Sequence, residues 1–495
     1  GNLDLIANAA ENDFGRPTYG DLFGKIGYTF DSGVTATAGS LLVNDRISLR
    51  DPGSATAGAD YDDGYLWLAV DDERGGRLAV RYLLSHTLLD DGRDGVMNDP
   101  DLGAGTLLEK RRFESSLVKA DATFAVSARQ ALRFGAELED MSARYRFDAT
   151  GLPAVPIDLA ALEQGAAAAS VASGTGARSA RAALDGQQQA VYLAYRVQPI
   201  ARLTAEVGLR WDRQTYLDDS QLSPRLNLSL DLGRNGTLRA AWGRFYQAQD
   251  VGELQIADGV TRLFPAQQAE HTVVGYERPV GQDVTLRVEA YRKEFERLRP
   301  RFENLYQRVS LLPELLPDRI MLAPTSGEAS GIEVALDGET APWSWWLAVT
   351  RSSAADRLGG ERVPRSWDEP WSVKAGGRWS GPRWTATVAA TAHAGWPTTA
   401  LELEDGRLVA GRLNAERLPT FATLDVKAEH KVALARGRLT WTLELQNALD
   451  RNNRYTFDYA LDLDAAGRPV VIRPEPRDWL PLIPSFGVLW ETGAH

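Results

Sequence analysis

The chain contains no cysteine, only 3 methionines and 5 histidines among its 495 residues. Without cysteine there is no disulfide framework and no thiolate metal site, a composition that suits passage through an oxidising compartment. No run of about 18 apolar residues occurs, which excludes a helical membrane span. Mean hydropathy is -0.29, a value that on its own reads as soluble. The formal net charge of -12 argues against a nucleic-acid partner, because binding phosphates needs clustered Lys and Arg. No G-x-S-x-G is present, and His86, His271, His393, His430 and His495 are scattered without metal-ligand spacing. Hence no enzyme and no cofactor are expected.

What the chain has instead is alternation. Leu226, Leu228, Leu230 and Leu232 alternate with Arg225, Asn227, Ser229 and Asp231 before the turn at Arg234, Asn235 and Gly236. Asn-Gly is a strong hairpin signal, and a period of two is that of a strand. Leu238, Ala240 and Trp242 then return on one face. The same pattern recurs from Val284 to Ala290, from Trp384 to Ala390 and from Leu439 to Leu445.

About twenty such strands of roughly 11 to 18 residues follow one another, longer than the 5 to 6 usual in soluble sheets. Crossing a membrane takes about 9 to 11. Tight turns are expected near Ser32, Gly75, Ser127, Pro199, Asn235, Gly281, Thr340, Gly381 and Ala435, each separated from the next by a longer connection. That asymmetry is the signature of an all-β fold, a transmembrane antiparallel β-barrel with short periplasmic turns and long extracellular loops. No linker interrupts the rhythm, so residues 1–491 read as one barrel and 492–495 as a short tail.

Aromatic residues fall at the expected interfaces. Trp379 and Trp384 flank one tight turn, Trp343 and Trp345 follow another, and Trp490 closes the last strand, as in a periplasmic girdle. Trp211, Trp371 and Tyr216 lie near the opposite strand ends.

Several segments resemble the barrel of TonB-dependent outer-membrane receptors. SPRLNLSLDLGRNGTLRAAWGRFYQAQDVGELQ with FPAQQAEHTVVGYE is similar to that family's mid-barrel. RLRPRFENLY, SGIEVALDG, HAGWPTT, RLPTFATLDVKAEHKV and LTWTLELQNALDRNNRY are similar to its later strands, and IPSFGVLWE to its closing one. LLVNDRISLRD, YLWLAVDDE and LTAEVGLRWDRQTY extend the likeness upstream. The resemblance implies an active transporter for a scarce extracellular ligand of siderophore, cobalamin, haem or glycan class. It also implies a 22-stranded barrel enclosing a plug, with TonB gripping a segment before the plug. On that reading the plug, the first hairpin and the export signal lie upstream of Gly1, and coupling to the TonB complex runs through that N-terminal region. Members usually end on an aromatic residue, a role open to Trp490 despite the ETGAH tail. A bacterial outer-membrane location, contact with membrane lipid and lipopolysaccharide, and a monomer follow. A passive porin or a surface adhesin barrel is the alternative.

Ligand-contact candidates are Arg299, Arg301, Asn304, Tyr306 and Arg308, where a strand passes into a long loop, and Arg244, Tyr246, Gln247 and Gln249. Guanidinium and aromatic groups together suit an anionic or sugar-like small molecule or oligosaccharide, although rim-shaping is the simpler role. Asp90, Asp91, Asp94, Asp99 and Asp101 supply oxygen ligands of the kind Ca²⁺ takes, but lack EF-hand spacing, which favours an exposed acidic loop. The Ala-rich stretch 159–183 is expected in a long, mobile, partly helical outer loop. Two outer hairpins are expected around Asp405-Gly406 and Ala466-Gly467.

Overall fold

The structure, a computed structural model, describes residues 16–51, 55–73, 76–99, 103–153, 157–158, 162, 168–170, 176–306, 310–465 and 468–492. Its dominant element is one antiparallel sheet of 20 strands. The sheet is a meander: each long strand hydrogen-bonds to the next in chain order, from Arg16–Thr29 to Ile483–Glu491. One member, Glu361–Pro364, is a short outer hairpin arm on Trp343–Leu358.

Alternation produces two faces. Along Gly103–Ser127 the even positions Val118, Phe124 and Val126 are exposed apolar side chains on the outward face. Their outward neighbours across the register include Leu138 and, in the next strands, Val191 and Leu193. Odd positions turn inward and are charged, with Lys119 paired to Glu137 at 3.0 Å and Glu137 to Arg210 at 3.0 Å. On the far wall, Arg239 and Arg287 both reach Glu277, at 3.2 and 3.1 Å. Greasy outside and charged inside is the reverse of a soluble protein, and it matches a wall standing in lipid.

Turns and loops sort by side. Described turns occur at Phe30–Gly33, Gly233–Gly236 and Gly381–Trp384, as the sequence expects; Gly75 lies outside the described residues. The Asn235-Gly236 hairpin is wider than a two-residue turn, with a 3₁₀ turn over Gly233–Asn235 closed by a bond from Leu232 N to Gly236 O of 2.8 Å. Gly236 has φ 96°, and a Cβ there would stand 2.1 Å from Glu277 O, so glycine is required.

Three sequence expectations are corrected. Four strands exceed the expected length: Leu78–Asp99 has 22 residues, Gln130–Pro153 has 24, and Gly103–Ser127 and Gly176–Ile200 have 25 each. Because about 9 to 11 residues suffice to cross, half or more of each strand serves another purpose. Consequently Asp90, Asp91, Asp94 and Asp99 lie on a strand and not in a loop; Asp101 is outside the described residues. The end of the Ala-rich stretch, from Gly176, is also strand, while most of its earlier part is not described. The hairpin Leu401–Glu404 with Arg407–Ala410 forms around Asp405-Gly406, and Arg454–Leu463 pairs with Pro469–Asp478 below a tip that is not described.

The two-faced wall sets an expected outcome. Leu193, 53% exposed on the outward face, should not tolerate a charge: Leu193→Arg is expected to lower folding stability in lipid vesicles by ~2–4 kcal/mol. Urea titration of the refolded protein measures this, and a change below about 0.5 kcal/mol, the usual scale for neutral surface substitutions, would place that face outside the bilayer.

Candidate functional site

The four tall strands carry a second apolar stripe, on the opposite face. In Gln130–Pro153 the apolar positions are Phe134 and Leu138, pointing outward, until the phase shifts to Met141, Ala143, Tyr145, Phe147 and Ala149, pointing inward. Met97, Leu107 and Phe113 make the same inward stripe on the neighbouring strands. These residues are buried, Phe147 to 1% exposure, because two loops fold down onto them.

The first loop, after Thr237–Gln247, brings Val251, Leu254, Ile256, Ala257 and Leu263. Its local shape follows from capping: the Asp250 carboxylate accepts from Gly252 N at 2.8 Å and starts a 3₁₀ turn, and Gly259 closes the next at φ 83°. The second loop, between Val284–Glu296 and Ser326–Thr340, brings Leu312, Leu315 and Leu316.

Polar bonds pin both loops to the wall. The Tyr145 hydroxyl donates to Val251 O at 2.7 Å and accepts from Leu254 N at 3.1 Å. Arg111 donates to Gly252 O at 3.0 Å while paired with Asp91. Arg93, paired with Glu109, reaches Glu314 at 2.8 Å and Leu311 O at 3.1 Å. Arg178 donates to Glu314 O at 3.1 Å. The loops are also tied to each other, because Arg319 grips Asp258 with two bonds of 2.7 Å. Such bidentate pairs are strong and directional. Burial pushes the Asp250 carboxyl above the ordinary carboxylate range, against the bond from Gly252 N.

A second core continues the layer, with Leu305, Tyr306, Ile320, Leu322, Leu358, Val363, Ala410 and Leu413. Its polar centre is Asp356, 1% exposed, held by Arg301 at 2.5 Å and Arg365 at 2.8 Å. Trp396 donates to Glu369 at 2.9 Å, and Arg417 pairs with Asp368, fixing the remaining rim.

Below this layer lies a cleft of about 410 Å³, lined by Phe245, Gln247, His271, Phe295, Leu298 and Arg365 among others. Arg225 stands 4.8 Å over the Phe245 ring and Arg365 4.8 Å over Phe295, while Phe245 and His271 pack at 4.7 Å. Lys293, on the inward face, is registered opposite His271. The cleft is therefore aromatic, its Arg365 offset by Asp356, with Arg225 and Lys293 as the cations on the adjoining inward face.

The sequence candidates divide. Arg299 pairs with Glu253 at 2.8 Å, Arg301 with Asp356, and Asn304 donates to Asp318 at 2.9 Å. The Tyr306 hydroxyl donates to Ala400 O at 3.1 Å, and burial pushes that hydroxyl's pKa up. Gln249 is buried, accepting from Phe264 N at 2.8 Å. These five staple loops together. Arg244 turns outward to Glu270 at 3.4 Å, Tyr246 and Gln247 line the cleft, and Arg308 is outside the described residues. The aspartates do not converge either: Asp91 pairs with Arg111, and among the described residues no group of three or more His, Asp or Glu is placed to hold a metal.

Among the aromatic residues, Trp343 and Trp379 pack at 6.5 Å, Trp384 stacks on His430 at 4.4 Å, and Trp343, Trp345, Trp384 and Trp490 are exposed. Trp211 and Trp371, registered opposite Leu222 and Arg351, point outward near the other strand ends. Tyr216 is the exception: it lies over Gly186 inside the mouth and donates to Gln249 O at 2.8 Å, so it belongs to the loop layer and not to a lipid interface. Sequence reading missed the pinning residues Arg93, Tyr145, Asp258, Glu314 and Arg319. The phase shift of the apolar stripe was the available signal.

Removing Arg319 strands Asp258, and losing one partner of a buried pair costs about 3–5 kcal/mol. Arg319→Ala is therefore expected to raise amide exchange across 250–264 while leaving the strands protected. Unchanged exchange in that loop would mean the pair does not hold it.

Comparison with known proteins agrees with this architecture. Residues 3–448 match the family model described as TonB dependent receptor-like, beta-barrel. No curated protein matches the sequence. Among solved structures, the ferric yersiniabactin uptake receptor FyuA from Yersinia pestis is 12% identical, covering 95% of this chain and 70% of that one, with TM-score 0.66. The copper transporter OprC is 12% identical over 94% and 72%, with TM-score 0.64. The ferric preacinetobactin receptor BauA from Acinetobacter baumannii is 11% identical over 95% and 72%, with TM-score 0.60. At these identities the structures share the fold. The chain belongs to the TonB-dependent receptor β-barrel family, whose members are non-enzymatic transporters of the bacterial outer membrane.

Proposed function

We propose that this barrel takes up an anionic metal chelate of the siderophore class, driven by the TonB complex acting through a plug-bearing N-terminal region. The observation that carries this reading is the pair of loops folded onto the inner face of the tall wall. Bonds from Tyr145, Arg111 and Arg93 hold them there, and Arg319 ties one to the other, an arrangement an open pore does not require. A ligand that binds well enough can displace or rearrange those contacts, and its release on the other side then needs work.

The cleft under this loop layer supports the ligand class. A guanidinium stacked on an aromatic ring, as Arg225 on Phe245, suits carboxylate and aryl groups together, while Arg365 over Phe295 stays engaged by Asp356. FyuA and BauA, of the same fold, are described as receptors for ferric yersiniabactin and ferric preacinetobactin; OprC is described as a copper transporter, so the metal itself is the less constrained part. Arg225 and Lys293 would meet the chelate's negative charge, with Phe245 and Phe295 against its rings.

The test is uptake of radiolabelled ferric chelates by cells expressing the intact gene, with and without TonB. Saturable uptake that vanishes without TonB, and falls about tenfold or more in Arg225→Ala with Lys293→Ala, a loss of about 1.4 kcal/mol or more, is expected. Non-saturable entry independent of TonB would mean a passive pore.

A further inference from the structure

The inward wall beneath the first loop holds two buried amides with open hydrogen-bonding capacity. Gln214 ends the strand Leu203–Gln214, and Gln221 lies near the start of its neighbour Asp219–Asp231. Register places Gln214 opposite Asp219 and Gln221 opposite Asp212, so the two amides are diagonal neighbours on one face. That face is the inward one, since Leu209 and Leu222, at alternate positions of the same strands, are exposed on the other. Gln214 is 3% exposed and Gln221 5%. Gln214 Oε1 and both Oε1 and Nε2 of Gln221 have no hydrogen-bond partner among the described residues.

Their polar neighbours are already engaged. Arg210 binds Asp212 at 2.8 Å and Glu137 at 3.0 Å. Asp219 accepts from Ala266 N at 3.0 Å, and Tyr216 accepts from Gln188 at 2.9 Å while donating to Gln249 O. The Gln249 amide is used within its own loop, accepting from Phe264 N at 2.8 Å and donating to Glu253 O at 3.0 Å. Buried polar groups are hydrogen-bonded as a rule, and one left out is costly. Two such amides side by side mark a place that a polar guest completes.

The chemistry of the open atoms selects that guest. Gln221 offers an acceptor and a donating NH₂, and Gln214 a further acceptor. A carboxylate or phosphate only accepts, and would face two carbonyl oxygens with Asp212 and Asp219 beside them. An ammonium only donates, which leaves Gln221 Nε2 unanswered. A neutral hydroxyl or carboxamide does both, and fits between diagonal neighbours ~7–8 Å apart. Water does so too, so a guest must replace the bonds of water like for like. Gln221 also stands four residues above Arg225 on the same strand, ~13 Å at ~3.3 Å per residue, between the loops and the row that carries Arg225 and Lys293.

We infer that Gln214 and Gln221 form a neutral recognition subsite, which binds a hydroxyl or carboxamide arm of the chelate whose charge meets Arg225 and Lys293. The inference rests on the uptake function proposed above for the identity of that chelate. The amide pair itself selects by an uncharged group that both donates and accepts.

The test uses the product of the intact gene, purified in detergent, and four ferric tris-catecholates on one peptide backbone. They carry a free seryl hydroxyl, its methyl ether, a primary carboxamide and its dimethylamide. In at least one pair the free form is expected to bind about tenfold or more tightly than the methylated form, and the pair that shows the difference names the arm. In the double variant Gln214→Met with Gln221→Met that difference should vanish. Its urea midpoint without ligand is expected to stay level or rise, because the amides removed had no partner, whereas a purely structural role would lower it. Arg225→Ala should weaken all four chelates alike, so a failure of the charge reading shows there, while the ratio within each pair reports on the amides. No difference within either pair, a preference that survives the double variant, or a fall in its urea midpoint would each overturn the assignment.

Discussion

Every backbone N–H and C=O that lies in hydrocarbon must find a partner within the protein, since each unpaired group there costs several kcal/mol. Between its first and last described strands the long meander satisfies this by continuous antiparallel pairing. Within the large sheet, irregular register occurs between Ala125 and Ser127 and between Leu203 and Ala205. Both lie beside tight turns, where water or headgroups can satisfy what the ladder drops. Unbroken register in turn fixes which side chains face out and which face in. The apolar coat of Val118, Leu138 and Leu193 and the charged lumen around Glu137 and Glu277 are both consequences of that one requirement.

Above the membrane the same strands answer to a different solvent. There the outward face meets water, so Arg144 and Arg146 are tolerated outside, and the inward face is where apolar area can be hidden from water. Met141, Tyr145 and Phe147 gain by burial under the loops at about 25 cal/mol per Å² removed from water. Polar staples then choose the arrangement of the loops, because Tyr145, Arg111 and Arg319 bond to particular carbonyls and carboxylates. The loop layer is thus held by packing and located by hydrogen bonds. A layer held by charge pairs can be rearranged by competing charges, which suits an entrance more than a permanent cap.

Much of this architecture was legible in the sequence, and the remainder was hidden for identifiable reasons. Strand character, turn positions such as Asn235-Gly236 and the outer hairpin at Asp405-Gly406 follow from period-two alternation and local turn chemistry. Strand length was underestimated from Leu78 to Ile200, because a change of solvent shifts the apolar phase and mimics the end of a strand. The acidic run from Asp90 reads as loop because its partners are not local: Asp91 is paired with Arg111 and Asp90 with Arg112 on the next strand, which sequence spacing does not reveal. The ligand candidates Arg301, Asn304 and Tyr306 lie just past the strand Val284–Glu296, and their partners Asp356, Asp318 and Ala400 are 55, 14 and 94 residues away. The pair Arg93 with Glu314 spans 221 residues. Contacts of that range are set by topology, and topology was known from sequence only in outline.

The central claim is that one two-faced wall crosses the outer membrane with its tight turns inside and its stapled loops outside. The absence of cysteine from these 495 residues makes this directly measurable, since a single thiol introduced here is the only one in the barrel sequence and the unsubstituted protein supplies the labelling baseline. Cells expressing variants such as Ser32→Cys, Asn235→Cys, Val118→Cys, Lys110→Cys and Asp405→Cys would be treated with a membrane-impermeant maleimide from outside. Labelling at Lys110 and Asp405, with none at Ser32, Asn235 or Val118 until the cells are permeabilised or the lipid removed, is the result expected. Labelling of the tight turns in intact cells, or of Val118 as readily as Lys110, would contradict it.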